Sequence, residues 1–132
     1  QTAGNADLAT LAGAVSSGIV QVSAGTLSTT PTTLKNAVSV TDGSTETTNG
    51  LDAGAAKGVA IFGNCTDTTA NIVIEVSSDD TNYYATNDSI FVDSNGDFFK
   101  NFVDLGARYI RAKYTNGSGS TATLTIIGSI KA

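Results

Sequence analysis

The sequence predicts an all-β fold, an antiparallel β-sandwich of the jelly-roll or immunoglobulin-like kind with an extended N-terminal arm. Three observations support this. Ser and Thr supply 33 of the 132 residues, and Thr suits strands because its branched Cβ packs well on a pleated surface. Asp, Asn and Gly turns recur about every 8–12 residues in the second half, as in sandwiches and barrels. The predicted C-terminal strands alternate apolar and polar residues.

Residues 1–24 differ in character from the rest and predict an assembly arm ahead of a sandwich domain over residues 25–132. Leu8, Leu11 and Val15 recur at helical spacing, but intervening glycines limit any helix to one or two turns. An apolar segment that folds poorly alone gains most by lying on another subunit; the alternative is a frayed leader. The expected arm contacts are Leu8, Leu11, Val15, Ile19, Val20 and Val22.

The chain from Ile19 to Gly63 predicts three strands joined by polar connections, the first of them within the arm. Pro31 suits an edge or a loop, because proline cannot donate a hydrogen bond to a neighbouring strand. Residues 41–56 form a polar, Gly-rich connection that we expect to be a surface loop or a contact element. The last strand is apolar throughout, which predicts burial on both faces or on a partner. The three strands are Ile19–Val22, Ala37–Val40 (preceded by Leu34) and Gly58–Gly63.

The C-terminal half predicts five further strands, each bounded by turn residues that tolerate positive φ or form Asx turns. Alternation places Ile110, Tyr114, Leu124 and Ile126 in the core. The strands are Asn71–Val76, Ser89–Val92, Asp97–Val103, Arg108–Tyr114 and Thr121–Ile130. The turns are Ser78–Asp80, Asn87–Asp88, Asn95–Gly96 and Asn116–Gly119.

The composition argues against several functions. The net charge is −5 and the Lys and Arg residues are not clustered, so we expect no nucleic-acid partner. No apolar run is long enough for a membrane helix, and the chain starts at Gln1 without a Met, which fits proteolytic maturation. Cys65 is the single cysteine and is expected to be buried. With no histidine beside a nucleophile, we expect no enzyme activity, no catalytic residue and no cofactor.

Acidic turns raise the possibility of a calcium site. Asp93–Asp97 resembles the opening of a calcium loop, because oxygen-bearing side chains alternate around Gly96. It lacks the distal Glu of such a loop, and Asn95–Gly96 is sufficient as a hairpin turn. Asp79 and Asp80 add oxygens only if the loops converge. We therefore expect no metal site.

Aromatic residues offer a different function, a carbohydrate-binding module. Such a module needs exposed rings on one sheet face, and Tyr83, Tyr84 and Tyr109 are the candidates. The absence of Trp weakens this interpretation. For Phe98–Phe99 we expect one ring in the core and the other on the surface.

Two segments carry a family resemblance. Ile74–Tyr84 followed by Gly106–Asn116 resembles β-sandwich domains of tailed-phage structural proteins. In that pattern a strand ending in Ser-x-Asp-Gly-Thr-Asn-Trp/Tyr-Tyr precedes an Arg-Tyr-hydrophobic-Arg strand. The match covers Val59–Ile130, with Asp80 in place of the usual glycine and Tyr83 in place of the usual tryptophan.

The resemblance implies a non-enzymatic virion protein on the outer head surface. Such a protein is a capsid decoration or cement subunit, or part of a head fibre. Its implied partners are copies of itself and a major capsid protein, held by edge-strand and arm contacts, with no nucleic acid and no membrane. The implied oligomeric state is a homo-oligomer.

An alternative is a secreted filament or pilus subunit at the cell surface. Its N-terminus would enter the next protomer's sandwich by donor-strand exchange. This hypothesis predicts that Ile19–Val22 pairs with another chain along its length.

Overall fold

The computed structural model describes residues 29–54, 56, 58–103 and 105–131. The predicted arm, with its six contact residues and the strand Ile19–Val22, lies outside the described residues. Within them the architecture is all-β, as predicted, with two antiparallel sheets packed as a sandwich. That part of the chain contains no helix of the length and hydropathy needed to cross a bilayer.

Nine strands build the two sheets in the described part of the chain. They are β1 (Thr29–Val40), β2 (Thr45–Thr47), β3 (Leu51–Asp52), β4 (Gly58–Cys65), β5 (Asn71–Ser77), β6 (Tyr84–Phe91), β7 (Asp97–Val103), β8 (Tyr109–Thr115) and β9 (Ala122–Lys131). The first sheet has the order β1-β9-β4-β7. The second has the order β2-β8-β5-β6, and β3 also pairs with β8.

Strand β1 is longer than the sequence indicates, because the Thr-rich stretch before Leu34 is also strand. Pro31 lies inside it, opposite Ser129, and is tolerated because β1 is an edge strand that pairs with β9. The register shifts on both sides of Lys35, and Ala37 has a φ of 47°. Of the two positions predicted for Pro31, an edge or a loop, the structure shows the edge.

The connection predicted over residues 41–56 is only partly a loop. It contains β2 and β3, which pair in turn with β8 through Thr45–Thr47 and Leu51–Asp52. Leu51 is buried in the core, whereas the polar residues around it gave no alternation that sequence reasoning could detect. Strands this short are held by their partner and not by local propensity.

Strand β6 corrects the prediction around Asn87–Asp88. These residues were expected to form a turn before Ser89, but they lie inside β6. Asn87 has a φ of 65°, and the register with β5 jumps between Val73 and Glu75, as in a β-bulge. The residue types that favour turns here serve a bulge instead, so the strand continues from Tyr84 to Phe91.

The remaining C-terminal strands lie within one residue of their predicted limits at most ends. Their inward faces form one core, and the predicted core residues Ile110, Tyr114, Leu124 and Ile126 are confirmed as fully buried. Cys65 is also fully buried, as predicted. Phe98 enters the core while Phe99 is 61% exposed, which confirms the expected division of that pair.

Candidate assembly interface

The outer face of the first sheet is nearly free of charge and is called the uncharged face here. Strand register places its outward side chains in cross-strand rows. The central row is Thr33, Ile127, Phe62 and Phe99. On one side of it lies the row Pro31, Ser129, Ala60 and Asn101, followed by the end row Thr29, Lys131, Gly58 and Val103. On the other side lies the row Thr125, Asn64 and Asp97.

Apolar side chains on this face are strongly exposed. Phe99 is 61% exposed and Val103 is 74% exposed. The ring of Phe62 packs against that of Phe99 with centroids 6.0 Å apart, and Ile127 lies next to Phe62 in the same row. Ile127 and Phe62 are half-buried. Ile127, Phe62 and Phe99 together make an apolar stripe across three strands, and Val103 lies two rows away from it.

Among the described residues of these four strands, charged side chains on the uncharged face occur only at its two ends. Lys131 lies in the row of Gly58 and Val103 at one end. Asp97 lies opposite Asn64 at the other end, where Asn64 Nδ2 donates a hydrogen bond of 3.0 Å to its carboxylate. The stripe between them is therefore bounded by one positive and one negative side chain.

The outer face of the second sheet is charged throughout its centre and is called the charged face here. Glu75 lies opposite Arg111, whose Nε donates a 2.8 Å hydrogen bond to the Glu75 carboxylate. Lys113 Nζ lies 3.5 Å from the same carboxylate. The contrast between the two outer faces shows that the lack of charge on the first sheet is specific to that face.

Tyrosine rings on the charged face are covered by guanidinium groups. Arg111 stacks on Tyr83 at 3.8 Å, and Arg108 lies over Tyr109 at 5.1 Å. Arg108 also pairs with Asp52, whose pKa it holds below the ordinary value by hydrogen bonding. A stacked sugar needs a free ring face, and a guanidinium group already occupies one of the two faces of each ring, which leaves less ring area for a sugar. The arrangement does not favour the carbohydrate-binding alternative.

Tyr84, the third aromatic candidate, is more exposed than Tyr83 and Tyr109. Tyr84 is 68% exposed and pairs with Val76 at the start of β6. Strongly exposed aromatic residues thus occur on both sheets, with Tyr84 and Phe91 at the two ends of β6 and Phe99 on the uncharged face.

Inward-pointing lysines occupy both edge strands of the first sheet. Lys35 of β1 pairs with Glu46 of β2 at 2.9 Å, and Lys100 of β7 pairs with Asp88 of β6 at 3.0 Å. Lys35 lies opposite Ile126 and Lys100 opposite Ile61, both core residues, so each lysine starts from the inner side of its sheet. Each ion pair joins the edges of the two sheets. Inward charges of this kind hinder the addition of another strand.

A buried hydrogen-bond group lies at one end of the sandwich. Tyr114 Oη donates a 2.8 Å hydrogen bond to Asp67, which also accepts from the backbone and hydroxyl of Thr69. Burial opposes ionisation of Asp67, but these hydrogen bonds outweigh it and hold the pKa of Asp67 below its usual value. Burial and Asp67 raise the pKa of Tyr114. Shallow polar clefts flank Asp67, whose carboxylate oxygens are already occupied, so the group stabilises the fold.

The acidic turns considered for calcium each satisfy their own loop. Asp79 accepts hydrogen bonds from the backbone N–H groups of Thr81 and Asn82, and Asp93 accepts from those of Asn95 and Asp97. Within the described residues, no three acidic, Cys or His side chains are placed to hold a metal ion together. The convergence on which the calcium idea depended is therefore absent from that part of the chain.

The sequence pattern did not identify the residues of the uncharged face, with one exception. The apolar run Gly58–Gly63 was expected to be buried on both faces or on a partner, and Phe62 is its outward apolar residue. The six predicted arm contacts lie outside the described residues, so the structure neither places them on a surface nor brings them together.

Comparison with solved structures identifies the fold. The PBSX exported protein XepA aligns with a TM-score of 0.60 and 19% identity over 78% of this chain. The SPBc2 prophage-derived protein YomS aligns with a TM-score of 0.56 and 12% identity, also over 78% of this chain. The chain spans 37% of XepA and 92% of YomS.

These likenesses establish a sandwich fold shared with these two proteins. An enzymatically active tailspike domain of bacteriophage CBA120 aligns with a TM-score of 0.43, too low to support an argument. No protein-family model matches the chain. A search of curated proteins also finds no significant match.

Proposed function

We propose that the chain is a non-enzymatic structural subunit of a phage virion, either a capsid decoration or cement protein or a head-fibre subunit. The observation that carries the proposal is the uncharged face. On this face the row Ile127, Phe62 and Phe99 is apolar, and Phe99 and Val103 are largely exposed; exposed apolar surface of this kind commonly serves as a contact surface. The function is then to adhere to other subunits.

The contact elements divide into two groups. The arm contacts the shell through Leu8, Leu11, Val15, Ile19, Val20 and Val22, while the sandwich presents the uncharged face to other subunits. The partners are a major capsid protein and further copies of this chain. Repetition over a shell multiplies modest individual contacts, so no single interface needs to be strong.

The fold likeness to YomS, which is described as an SPBc2 prophage-derived protein, supports a phage origin. XepA is described as exported, which is compatible with a place on the outer head surface. The identities of 12–19% transfer a fold and no activity, and for that reason the virion role rests on the uncharged face.

The alternative, an extracellular filament subunit built by donor-strand exchange, has less support. A donor-strand subunit leaves a gap in its own sheet for the neighbour's strand. Here β1 and β7 end the first sheet, and each has an inward lysine tied to the opposite sheet, Lys35 to Glu46 and Lys100 to Asp88. Such edges oppose further strand pairing.

Cosedimentation tests the proposal directly. The full chain is mixed with empty heads of the phage or prophage that encodes it, in parallel with a chain that starts at Ser23. We expect saturable binding with a fixed number of copies per head, a higher melting temperature of the heads, and loss of both effects on truncation. Failure of the full chain to bind heads would contradict the virion role. Arm-dependent filaments in negative stain would instead support the donor-strand subunit.

A further inference from the structure

The uncharged face has chemistry that suits a second copy of itself. This inference rests on the proposed function and deepens it by specifying how two copies meet. We infer that two chains pair face to face about a two-fold axis, with the stripe of Ile127, Phe62 and Phe99 at the centre. Lys131 of each copy then lies against Asp97 of the other. Isologous pairing of this type is the commonest form of homo-oligomer.

Charge placement favours a second copy over an unrelated partner. Lys131 pairs with Gly58, and Asp97 pairs with Asn64, six residues further along β4. At about 3.3 Å per residue, the two charges lie roughly 20 Å apart along the strands, at opposite ends of the face. A two-fold axis in the plane of the interface, perpendicular to the line joining them, exchanges the two ends. Each lysine is thereby brought to the other copy's aspartate.

The edges of the sandwich direct self-association towards the face. Lys35 and Lys100 are tied inward to acids of the opposite sheet, and the Asn87 bulge distorts the outer edge of the second sheet. Inward charges and bulges oppose edge-to-edge pairing. The charged face carries Glu75, Arg111 and Lys113, already paired with one another. The uncharged face is the remaining extended surface of the described strands.

The size of the face sets the expected strength of the pair. Four strands at about 4.8 Å spacing and a length of roughly 20 Å give a projected area on the order of 400 Å² per copy. Stable complexes bury about 800 Å² per partner, so this interface lies at the weak end. We expect a dissociation constant on the order of 10–100 μM, a strength that repetition on a shell amplifies.

Sedimentation equilibrium of the full chain, from about 5 μM to about 1 mM, measures the pairing. Phe99→Lys places a charge in the stripe and is expected to weaken dimerisation at least about 30-fold. Phe91→Lys is the matched control, because Phe91 is 74% exposed on the outer side of the second sheet. It makes the same chemical change on the opposite face and should leave the dissociation constant unchanged.

Charge reversal tests the orientation of the two copies. Lys131→Glu alone and Asp97→Lys alone each place like charges together at both symmetry-related contacts. Each is expected to weaken the dimer about 3- to 10-fold, and the double variant should return to within about 3-fold of the original. Recovery in the double variant is an outcome that a folding defect does not produce.

Several results would overturn the inference. A monomer at every concentration would do so and would leave residues 1–28 or the capsid protein to cover the face. Equal effects of Phe99→Lys and Phe91→Lys, or no recovery in the charge-reversed double variant, would also reject it. The virion role fails separately: a chain that dimerises but does not bind heads retains the dimer and loses the role. A chain that binds heads as a monomer, with binding unaffected by Phe99→Lys, retains the virion role and loses the dimer.

Discussion

The hydroxyl of Tyr83 donates a hydrogen bond to the carboxylate of Asp80, and these are the two positions where the chain departs from the phage-protein pattern. Asp80 has a φ of 60°, the left-handed conformation for which glycine is the usual residue. The two departures are therefore coupled: the side chain that replaces glycine supplies the acceptor for the tyrosine that replaces tryptophan. A Cβ at Gly50 would collide with both groups, so Gly50 is part of the same arrangement.

Asp80→Gly should change the free energy of unfolding through two effects of opposite sign. Relief of the left-handed conformation stabilises by about 1 kcal/mol, whereas loss of the exposed acceptor for Tyr83 destabilises by about 0.5–1 kcal/mol. We expect a near-neutral change in the original chain and stabilisation by about 1 kcal/mol in a Tyr83→Phe background, measured by urea unfolding. Additive effects of the two substitutions would show that the hydrogen bond does not couple them.

Gly63→Ala should destabilise the sandwich severely. A Cβ at Gly63 would penetrate the backbone carbonyl of Thr125 on the adjacent strand β9, and a backbone group within a sheet cannot move aside as a side-chain end can. We expect a loss of at least about 3 kcal/mol in urea unfolding. Gly58→Ala in the same strand is the control, since its Cβ would meet its nearest atom at 3.8 Å, and the change should stay within about 1 kcal/mol. Equal effects at the two glycines would contradict the packing described for β4 and β9.

The alternating and apolar strands were predictable from sequence because their pattern is local. Strand β8 alternates Ile110, Ala112 and Tyr114 towards the core, and that period requires no knowledge of neighbours. The short strands β2 and β3 and the Asn87 bulge were missed, because β8 and β5 impose them through pairing. The uncharged face was missed for the same reason.

The candidate assembly surface becomes recognisable only through the cross-strand row. Ile127, Phe62 and Phe99 are distant in sequence, and only strand order aligns them in one row. The inward direction of Lys35 and Lys100 also depends on register, since a lysine in a strand is ordinarily read as a solvent-facing residue. Charge on a face can therefore be assessed only after the strands are paired.

Cys65 provides a probe of the core because it is the single thiol of the chain. It is fully buried, and burial raises the pKa of its thiol. Reaction requires a solvent-accessible thiolate, so we expect almost no labelling by Ellman's reagent in the native state at pH 8. Full reaction should follow addition of denaturant. Rapid labelling of the native chain would show that the β4 end of the sandwich opens readily.

Asp79 should make stability depend on pH in the acid range. Hydrogen bonds from the backbone of Asn82 and Thr81, together with the Asn82 and Ser77 side chains, hold the pKa of Asp79 far below its ordinary value. A depressed folded-state pKa gives stability that is present above the unfolded value of about 3.9 and is lost as pH falls towards the folded pKa.

Asp79→Asn should therefore lower the thermal midpoint at pH 7 by several degrees and have a smaller effect at pH 2, where the original chain has begun to lose the same contribution. The variant retains a side-chain oxygen but not the negative charge. Differential scanning calorimetry at both pH values checks this expectation. An equal decrease at pH 7 and pH 2 would show that the loop depends on the shape of the side chain and not on its charge.

Lys100→Leu should leave the fold intact and increase aggregation. Lys100 lies on the edge strand β7 and reaches Asp88 across the gap between the sheets, so it hinders the addition of a foreign strand. Replacing a partly buried charge by leucine should keep the urea midpoint unchanged or raise it. Light scattering at 37 °C should nevertheless rise faster than in the original chain. Lys113→Leu removes the same charge and adds the same side chain on β8, which is paired on both sides, and should scatter less. Equal scattering by the two variants would indicate that lost charge, and not an unprotected edge, drives the association.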